Sequence, residues 1–246
     1  MELISVIMPY FKKKYFVKNA IRSVLSQSYN KFELIIIYDD EDKTELELLK
    51  KILTKDKRIK LLVNNKNIGA GPSRNKGIEA SKGKYLAFID ADDLWTKKKL
   101  ENQLTFMKKN DCSITHTSYE IINSRNQILS YRKARDIKKY DALLKSCDIG
   151  LSTVLIEKKI LGKKLRFAKL KTKEDFVLWL KVLKNRYIII SIDKPMTKWR
   201  KVENSLSSSI FQKLKDAFLV YNEYMRINVF KSIYLVLCLS LNFFKK

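Results

Sequence analysis

The chain is poor in several residue types that other functions need. It has one histidine, three cysteines, three prolines and six glycines in 246 residues. A lone His116 cannot build a histidine metal centre and reads as a strand residue. Cys112, Cys147 and Cys238 are few, odd in number and far apart. That pattern argues against a disulfide frame or a zinc knuckle and suits a reducing compartment. No secretory signal precedes the first apolar stretch, because Met1-Glu2 leads directly into Leu3–Met8. The protein is therefore expected to stay in the cytoplasm. The apolar run Ile233–Leu241 is far shorter than the ~20 residues of a membrane-spanning helix. Acidic residues are scarce: 26 Asp+Glu face 51 Lys+Arg, a net charge of +25. Such an excess favours nucleic acid, anionic lipid or a polyanionic substrate, unless it only reflects lysine-rich coding. Hydrophobic residues make up 46%, enough for a folded core.

Against that basic background, Asp90, Asp92 and Asp93 stand out at the end of the apolar run Tyr85–Ile89. Carboxylates this close resist ionising together unless a positive charge sits between them. A divalent cation suits that place, since hard cations take oxygen ligands. In an extended strand Asp90 and Asp92 share a face. A second acidic group, Asp39-Asp40-Glu41-Asp42, follows the apolar run Phe32–Tyr38.

The order of elements predicts an α/β fold. Residues 3–8 read as a buried strand stopping at Pro9, followed by a helix over 15–27. Residues 32–38 and 59–63 read as strands with a helix between them. After a loop over 64–71, Pro72 opens a helix that Gly83 closes, and 84–89 form a fourth strand. The nearly continuous apolar strands suit a parallel sheet covered on both faces. Strand–helix alternation predicts a doubly wound sheet with right-handed crossovers. Both acidic clusters then fall at the carboxyl ends of strands, where such sheets bind ligands. Further on, the pattern predicts a helix over 97–110, strands over 112–122 and 149–156, and a polar excursion over 125–140. A helix over 173–184 and a strand over 187–192 before Pro195 complete it.

These pieces together resemble the inverting, family-2 glycosyltransferases of the nucleotide-diphospho-sugar (GT-A) fold. The resemblance covers about residues 3–210. It is carried by Ser5–Tyr10, Ile37–Asp40, Asn67–Gly77, Asp90–Asp93, Glu174–Leu180, Trp199-Arg200 and Glu203–Ser207. The stretches Thr117–Glu120 and Ile149–Val154 look most like the branch that assembles teichuronic acid and lipopolysaccharide. The resemblance implies a mixed, mostly parallel doubly wound sheet. Residues 1–95 would form the nucleotide-binding half, 96–210 the acceptor-binding half, and 211–246 a helical appendage. It implies transfer of a sugar from a UDP-sugar to a hydroxyl of a lipid-linked bacterial surface glycan, with Mn2+ or Mg2+ as cofactor.

By motif, Pro9 and Tyr10 would wall the nucleotide pocket, and Asp39 would accept a hydrogen bond from uracil. Arg74 would lie near the nucleotide or its phosphates, Asp90 would face the ribose, and Asp92 would bind the cation. Asp175 would be the catalytic base, with Glu174 beside it raising its pKa. Two departures stand out. The turn usually reading Gly-Ser-Thr-Asp is Glu41-Asp42-Lys43-Thr44 here, so Lys43 comes within reach of the nucleotide. A histidine many relatives carry near Val202 is missing, and Arg200 or Lys201 would substitute as diphosphate contacts.

The tail around 233–241, flanked by Lys231, Lys245 and Lys246, fits either a helix lying in a membrane interface or one docked on the protein's own core. The interfacial reading places the protein peripherally on the inner face of the cell membrane. A sugar-nucleotide pyrophosphorylase is discounted because Pro9–Tyr15 contains no glycine. A nucleic-acid binder is discounted because no recognisable module or aromatic-lined basic stripe is present.

Overall fold

The structure, a computed structural model, describes residues 1–53, 56–202 and 209–244, with the side chains of 243 and 244 excluded. The Glu203–Ser207 motif and the terminal lysines lie outside the described residues.

The chain opens with β1 (Ile4–Tyr10), α1 (Lys14–Leu25), β2 (Phe32–Tyr38), α2 (Thr44–Leu53), β3 (Ile59–Val63), α3 (Ala70–Ala80) and β4 (Tyr85–Phe88). It continues with β5 (Leu94–Trp95), α4 (Lys99–Lys109), β6 (Ile114–Ile122), β7 (Ile128–Arg132), α5 (Tyr140–Leu144) and β8 (Leu155–Glu157). Helix α6 (Glu174–Lys184), β9 (Ile190–Arg200), α7 (Ile210–Leu219) and α8 (Val229–Phe244) complete it. The strands form one sheet in the order β3-β2-β1-β4-β8-β6-β9-β5, with β7 paired to β6. Strands β1, β2, β3, β4, β6 and β9 run one way, and β5, β7 and β8 run against them.

Alternation along the strands builds two cores. Ile7, Ile35, Ile37, Leu86 and Phe88 point to one face, where Ile78 of α3 and Phe176–Leu180 of α6 cover them. Val6, Met8, Leu34 and Ile36 point to the other, under Val17, Ile21 and Val24 of α1 and Leu100 and Leu104 of α4. Both faces of the central parallel strands β1, β2 and β4 are therefore dry, as their apolar runs predict, while β3 at the sheet edge is only partly covered.

Several local expectations give way to neighbours distant in sequence. Strand β1 runs through Pro9 instead of stopping there. Backbone bonding alternates along the strand: Ile4 donates toward Lys31 on the β2 side, and the Ile7 carbonyl accepts from Ile89 on the β4 side. Pro9 shares the parity of Ile7, so its missing N–H faces the β4 side beyond the point where β4 ends. Strand β9 likewise passes Pro195, where its register against β6 shifts around Ser118. Gly83 does not close α3, which ends at Ala80. A Cβ there would lie 2.6 Å from the Ser5 amide, so this glycine permits close contact with β1. Residues 151–153, expected as strand, form a 3₁₀ turn. His116 is a buried strand residue, and none of the three cysteines is in a disulfide.

The tail shares the main core. Ala217, Val220, Tyr221, Leu235 and Leu239 join the cluster around α6. Asp216 of α7 accepts from both the amide and the hydroxyl of Thr172, at 2.8 Å each, and so ties α7 to the start of α6.

Candidate active site

Strands β2, β1 and β4 are parallel neighbours. Their carboxyl ends bring Asp39, Tyr10 and Asp90 to one edge of the sheet. With strands ~5 Å apart, the two acidic clusters stand roughly 10 Å from each other across β1.

Asp39 is buried and organises the loop after β3. Its Oδ1 accepts from Asn64 Nδ2 at 2.8 Å and the Ile68 amide at 2.9 Å, and its Oδ2 from the Gly69 amide at 2.9 Å. Gly69 has φ +94°, a conformation that favours glycine. A carboxylate has about four acceptor sites, and three of those on Asp39 are used within the protein. Tyr10 stacks on Tyr38 with ring centroids 5.3 Å apart and donates to Glu45 Oε2 at 2.5 Å. Burial, reinforced by Glu45, raises its pKa, so it stays a phenol. Pro9 is half-buried at the same end of β1.

Strand β4 ends at Phe88, and Asp90–Asp93 form a turn closed by a bond from the Asp93 amide to the Asp90 carbonyl at 3.0 Å. Asp90 and Asp92 therefore do not act as a same-face pair, and each carboxylate has its own partner. Asp90 Oδ1 accepts from Arg74 Nη2 at 2.7 Å. Asp93 is buried, accepting from Ser152 Oγ at 2.5 Å and the Arg200 amide at 2.9 Å. Burial, with Asp92 and Asp90 nearby, pushes it well above the usual carboxyl range. Asp92 Oδ2 lies 2.6 Å from Lys13 Nζ. Burial raises the Asp92 carboxyl too, against the pull of Lys13. Trp95 donates its indole N–H to the Ser152 carbonyl at 2.8 Å, bracing the turn that carries Ser152.

Helix α6 begins at the second half of the site. Arg74 Nη1 donates to Glu174 Oε1 at 2.5 Å, so one buried guanidinium joins Glu174 to Asp90. Gly71 makes this approach possible, because a Cβ there would lie 2.2 Å from the Ala168 carbonyl and 3.2 Å from Glu174 Cβ. Two bonds of 3.0 Å between Asn75 and the backbone of Phe167 fasten the same segments. Asp175 follows in the first turn and accepts from the Phe176 amide at 2.8 Å. Burial, then the Glu174 charge, lifts its pKa to about 7, with Arg74 pulling the other way. A carboxyl so placed is matched to proton abstraction near neutrality.

Residues 5–170, more than half of the chain, match the model of Glycosyl transferase family 2. The chain is a family-2 glycosyltransferase. It is 31% identical over 245 residues to TuaG of Bacillus subtilis, named for teichuronic acid biosynthesis, covering 99% of this chain and 97% of TuaG. It is 36% identical over 237 residues to the Escherichia coli UDP-Glc:alpha-D-GlcNAc-diphosphoundecaprenol beta-1,3-glucosyltransferase WfgD, covering 95% of this chain and 91% of WfgD. Its fold matches Staphylococcus aureus TarS 1-349 in complex with UDP-GlcNAc, with a TM-score of 0.70 at 19% identity over 96% of this chain and 70% of that one. It also matches the mannosyltransferase PcManGT of Pyrobaculum calidifontis in complex with GDP-Man and Mn2+, with a TM-score of 0.70 at 12% identity over 94% and 69% of the two chains. The α/β architecture of this glycosyltransferase is thus the GT-A fold.

Some expected contacts of the glycosyltransferase are committed elsewhere. Arg200 is buried. Its Nε donates to the Asp92 carbonyl, Nη1 to the carbonyls of Asn123 and Ser124, and Nη2 to Asn126 Oδ1. It braces the acidic turn and is not free for a diphosphate. Lys201 is exposed. Lys43 Nζ donates to the carbonyls of Asp40 and Asn64, at 2.5 and 2.9 Å, and so holds two loops together. Arg74 serves two carboxylates, Asp90 and Glu174. Sequence reasoning passed over Ser152 and Lys13. Ser152 lies inside a motif that reads as strand, and Lys13 inside the basic run Lys12–Lys14, where nothing local points to an acidic partner.

Proposed function

We propose that this enzyme transfers a sugar from a UDP-sugar to a hydroxyl of a lipid-linked bacterial surface glycan, with inversion at the anomeric carbon. The observation that carries the reading is Arg74, which joins the acidic turn after β4 to the carboxylates opening α6. Donor site and base thus belong to one charge network. WfgD, by its name, uses UDP-Glc and a diphosphoundecaprenol-linked acceptor, and TarS is described with UDP-GlcNAc.

In this reading Asp39 offers its remaining acceptor site to the uracil, and Tyr10 and Pro9 wall the base. Asp90 faces the ribose. Among the described residues, no three side chains of His, Cys, Asp or Glu make a ready cage for a metal. Asp92, held by a single displaceable cation, still fits Mn2+ or Mg2+, which bind through one or two carboxylates plus substrate phosphates. Such an ion, when bound, offsets charge building on the departing UDP. Asp175 takes the proton of the acceptor hydroxyl as it attacks from the face opposite the leaving group.

Saturating UDP with Mn2+ should raise the melting temperature of the wild type by mass action. Asp92→Ala should lose that rise. A retained rise in the variant removes the metal role, and no rise in the wild type removes the donor site.

Membrane contact belongs to the same proposal. No helix among the described residues is long and apolar enough to cross a bilayer. Helix α8 docks through Leu235 and Leu239, yet Phe230, Ile233, Tyr234, Leu237 and Leu241 stay exposed on its opposite stripe. Ile210 and Phe211 of α7 are 71% and 79% exposed. Lys215 and Lys231 are exposed on the same two helices, which suits an anionic lipid surface. Deleting the tail would strip the core, so surface substitutions are the cleaner probe. Phe230→Asp with Leu237→Asp should weaken binding to phosphatidylglycerol vesicles by about tenfold or more, with unchanged melting. Undiminished binding in sedimentation assays would reject this face.

A further inference from the structure

The three aspartates of the turn are held in different ways. Asp90 is clamped by a buried guanidinium, and Asp93 by a hydroxyl and a backbone amide. Asp92 alone has a lysine for its partner. An ammonium on a four-carbon stem is a rotatable point charge and the most easily displaced of these partners. Both side chains of the pair keep a path to solvent, at 26% and 14% exposure.

The location of Lys13 is unfavourable for its own helix. It occupies the N-cap of α1 without any side-chain cap bond, and no acidic residue stands in the first turn. That position favours Ser, Thr, Asp or Asn, and the helix dipole disfavours a cation there. The preceding Lys12 has φ +50°, a left-handed conformation unusual for lysine. A local rule broken without a local gain points to a functional site. The ion pair with Asp92 is the visible compensation.

We propose that Lys13 keeps the place of the divalent ion and makes metal entry conditional on the nucleotide diphosphate. The inference rests on the donor reading above. An ion entering alone must displace the ammonium and leave it stranded beside a second positive charge. An ion entering with a diphosphate brings oxygens that accept the displaced ammonium. Lys13 thereby changes partner from Asp92 to phosphate and becomes a positioning residue for the donor.

The test is calorimetry on Lys13→Met at about pH 8, first with Mn2+ alone and then with UDP in excess Mn2+. The two affinities should move in opposite directions. Mn2+ alone should bind about fivefold or more tighter than in the wild type, and UDP about fivefold or more weaker. Lys13→Arg, which keeps the charge, should retain the weak binding of Mn2+ alone. If both affinities fall together, Lys13 only positions Asp92 and the exchange is overturned. If neither moves while the wild type binds UDP, the pair is irrelevant to the site. Failure of the wild type to bind UDP overturns the donor reading itself, and that result is distinct from the other two.

Discussion

Replacing Asp175 by Asn should lower kcat by about 10²–10⁴-fold while UDP affinity stays within about twofold. The amide keeps an oxygen for the Phe176 amide, so the helix start is preserved. It cannot take a proton, so only the chemical step is lost. Single-turnover transfer assays alongside UDP calorimetry would separate the two effects, and persistent transfer would assign the base elsewhere. The pH dependence follows from the same carboxyl. Its pKa of about 7 requires wild-type kcat/KM to rise with pH through neutrality as the base ionises. Stability runs the opposite way. A folded pKa raised above the unfolded value makes ionisation unfavourable in the native state. Wild-type stability therefore falls, relative to Asp175→Asn, as pH rises from about 4 to 7, and the gap levels off above that. Urea unfolding at three pH values would show it.

Arg74→Met should cost about 3–5 kcal/mol, because it leaves Glu174 and Asp90 facing each other without their shared cation. For a chain of this size that corresponds to a fall in melting temperature of roughly 10 °C. Burial alone would lower the Arg74 pKa, but Asp90 and Glu174 hold it above the ordinary value, so the guanidinium stays charged. It also lies over the Phe167 ring, 5.5 Å from the centroid, and its buried Nε has no hydrogen-bond partner among the described residues. Arg74→Lys should not rescue stability, since one ammonium cannot span both carboxylates in the fork geometry. Differential scanning calorimetry decides between these outcomes. A loss below about 1 kcal/mol would show that the two acids find other partners.

Continuous apolar strands were the most legible part of the sequence. Phe32–Tyr38 and Ile59–Val63 are strands with the very ends their apolar runs indicate. The acidic residues at their carboxyl ends follow from topology, so Asp39 and Asp90 share an edge as expected. Punctuation residues are less legible. Pro9 and Pro195 read as stops, but a proline ends a strand only where its missing N–H is needed. Gly83 read as a helix cap, but its smallness serves a neighbour 78 positions away in sequence, Ser5. Ile149–Ile156 read as one strand, yet only Leu155 and Ile156 are in β8; before them Ser152 bonds Asp93 and Thr153 Oγ1 bonds Gly150, which turns the backbone. The commitments of Arg200 depend on where the 123–126 loop lies, and no local pattern encodes that.

Asp216 fastens Thr172, three positions before Asp175, to the helix that exposes Ile210 and Phe211. The proposed membrane foot and the proposed proton acceptor are thus linked through a buried hydrogen-bonded joint. Resting on a bilayer, a protein so joined carries its reaction centre at a set height, and that height works as a ruler. On that proposal, glycans whose reactive sugar stands that far from the lipid would be favoured over shorter or longer ones.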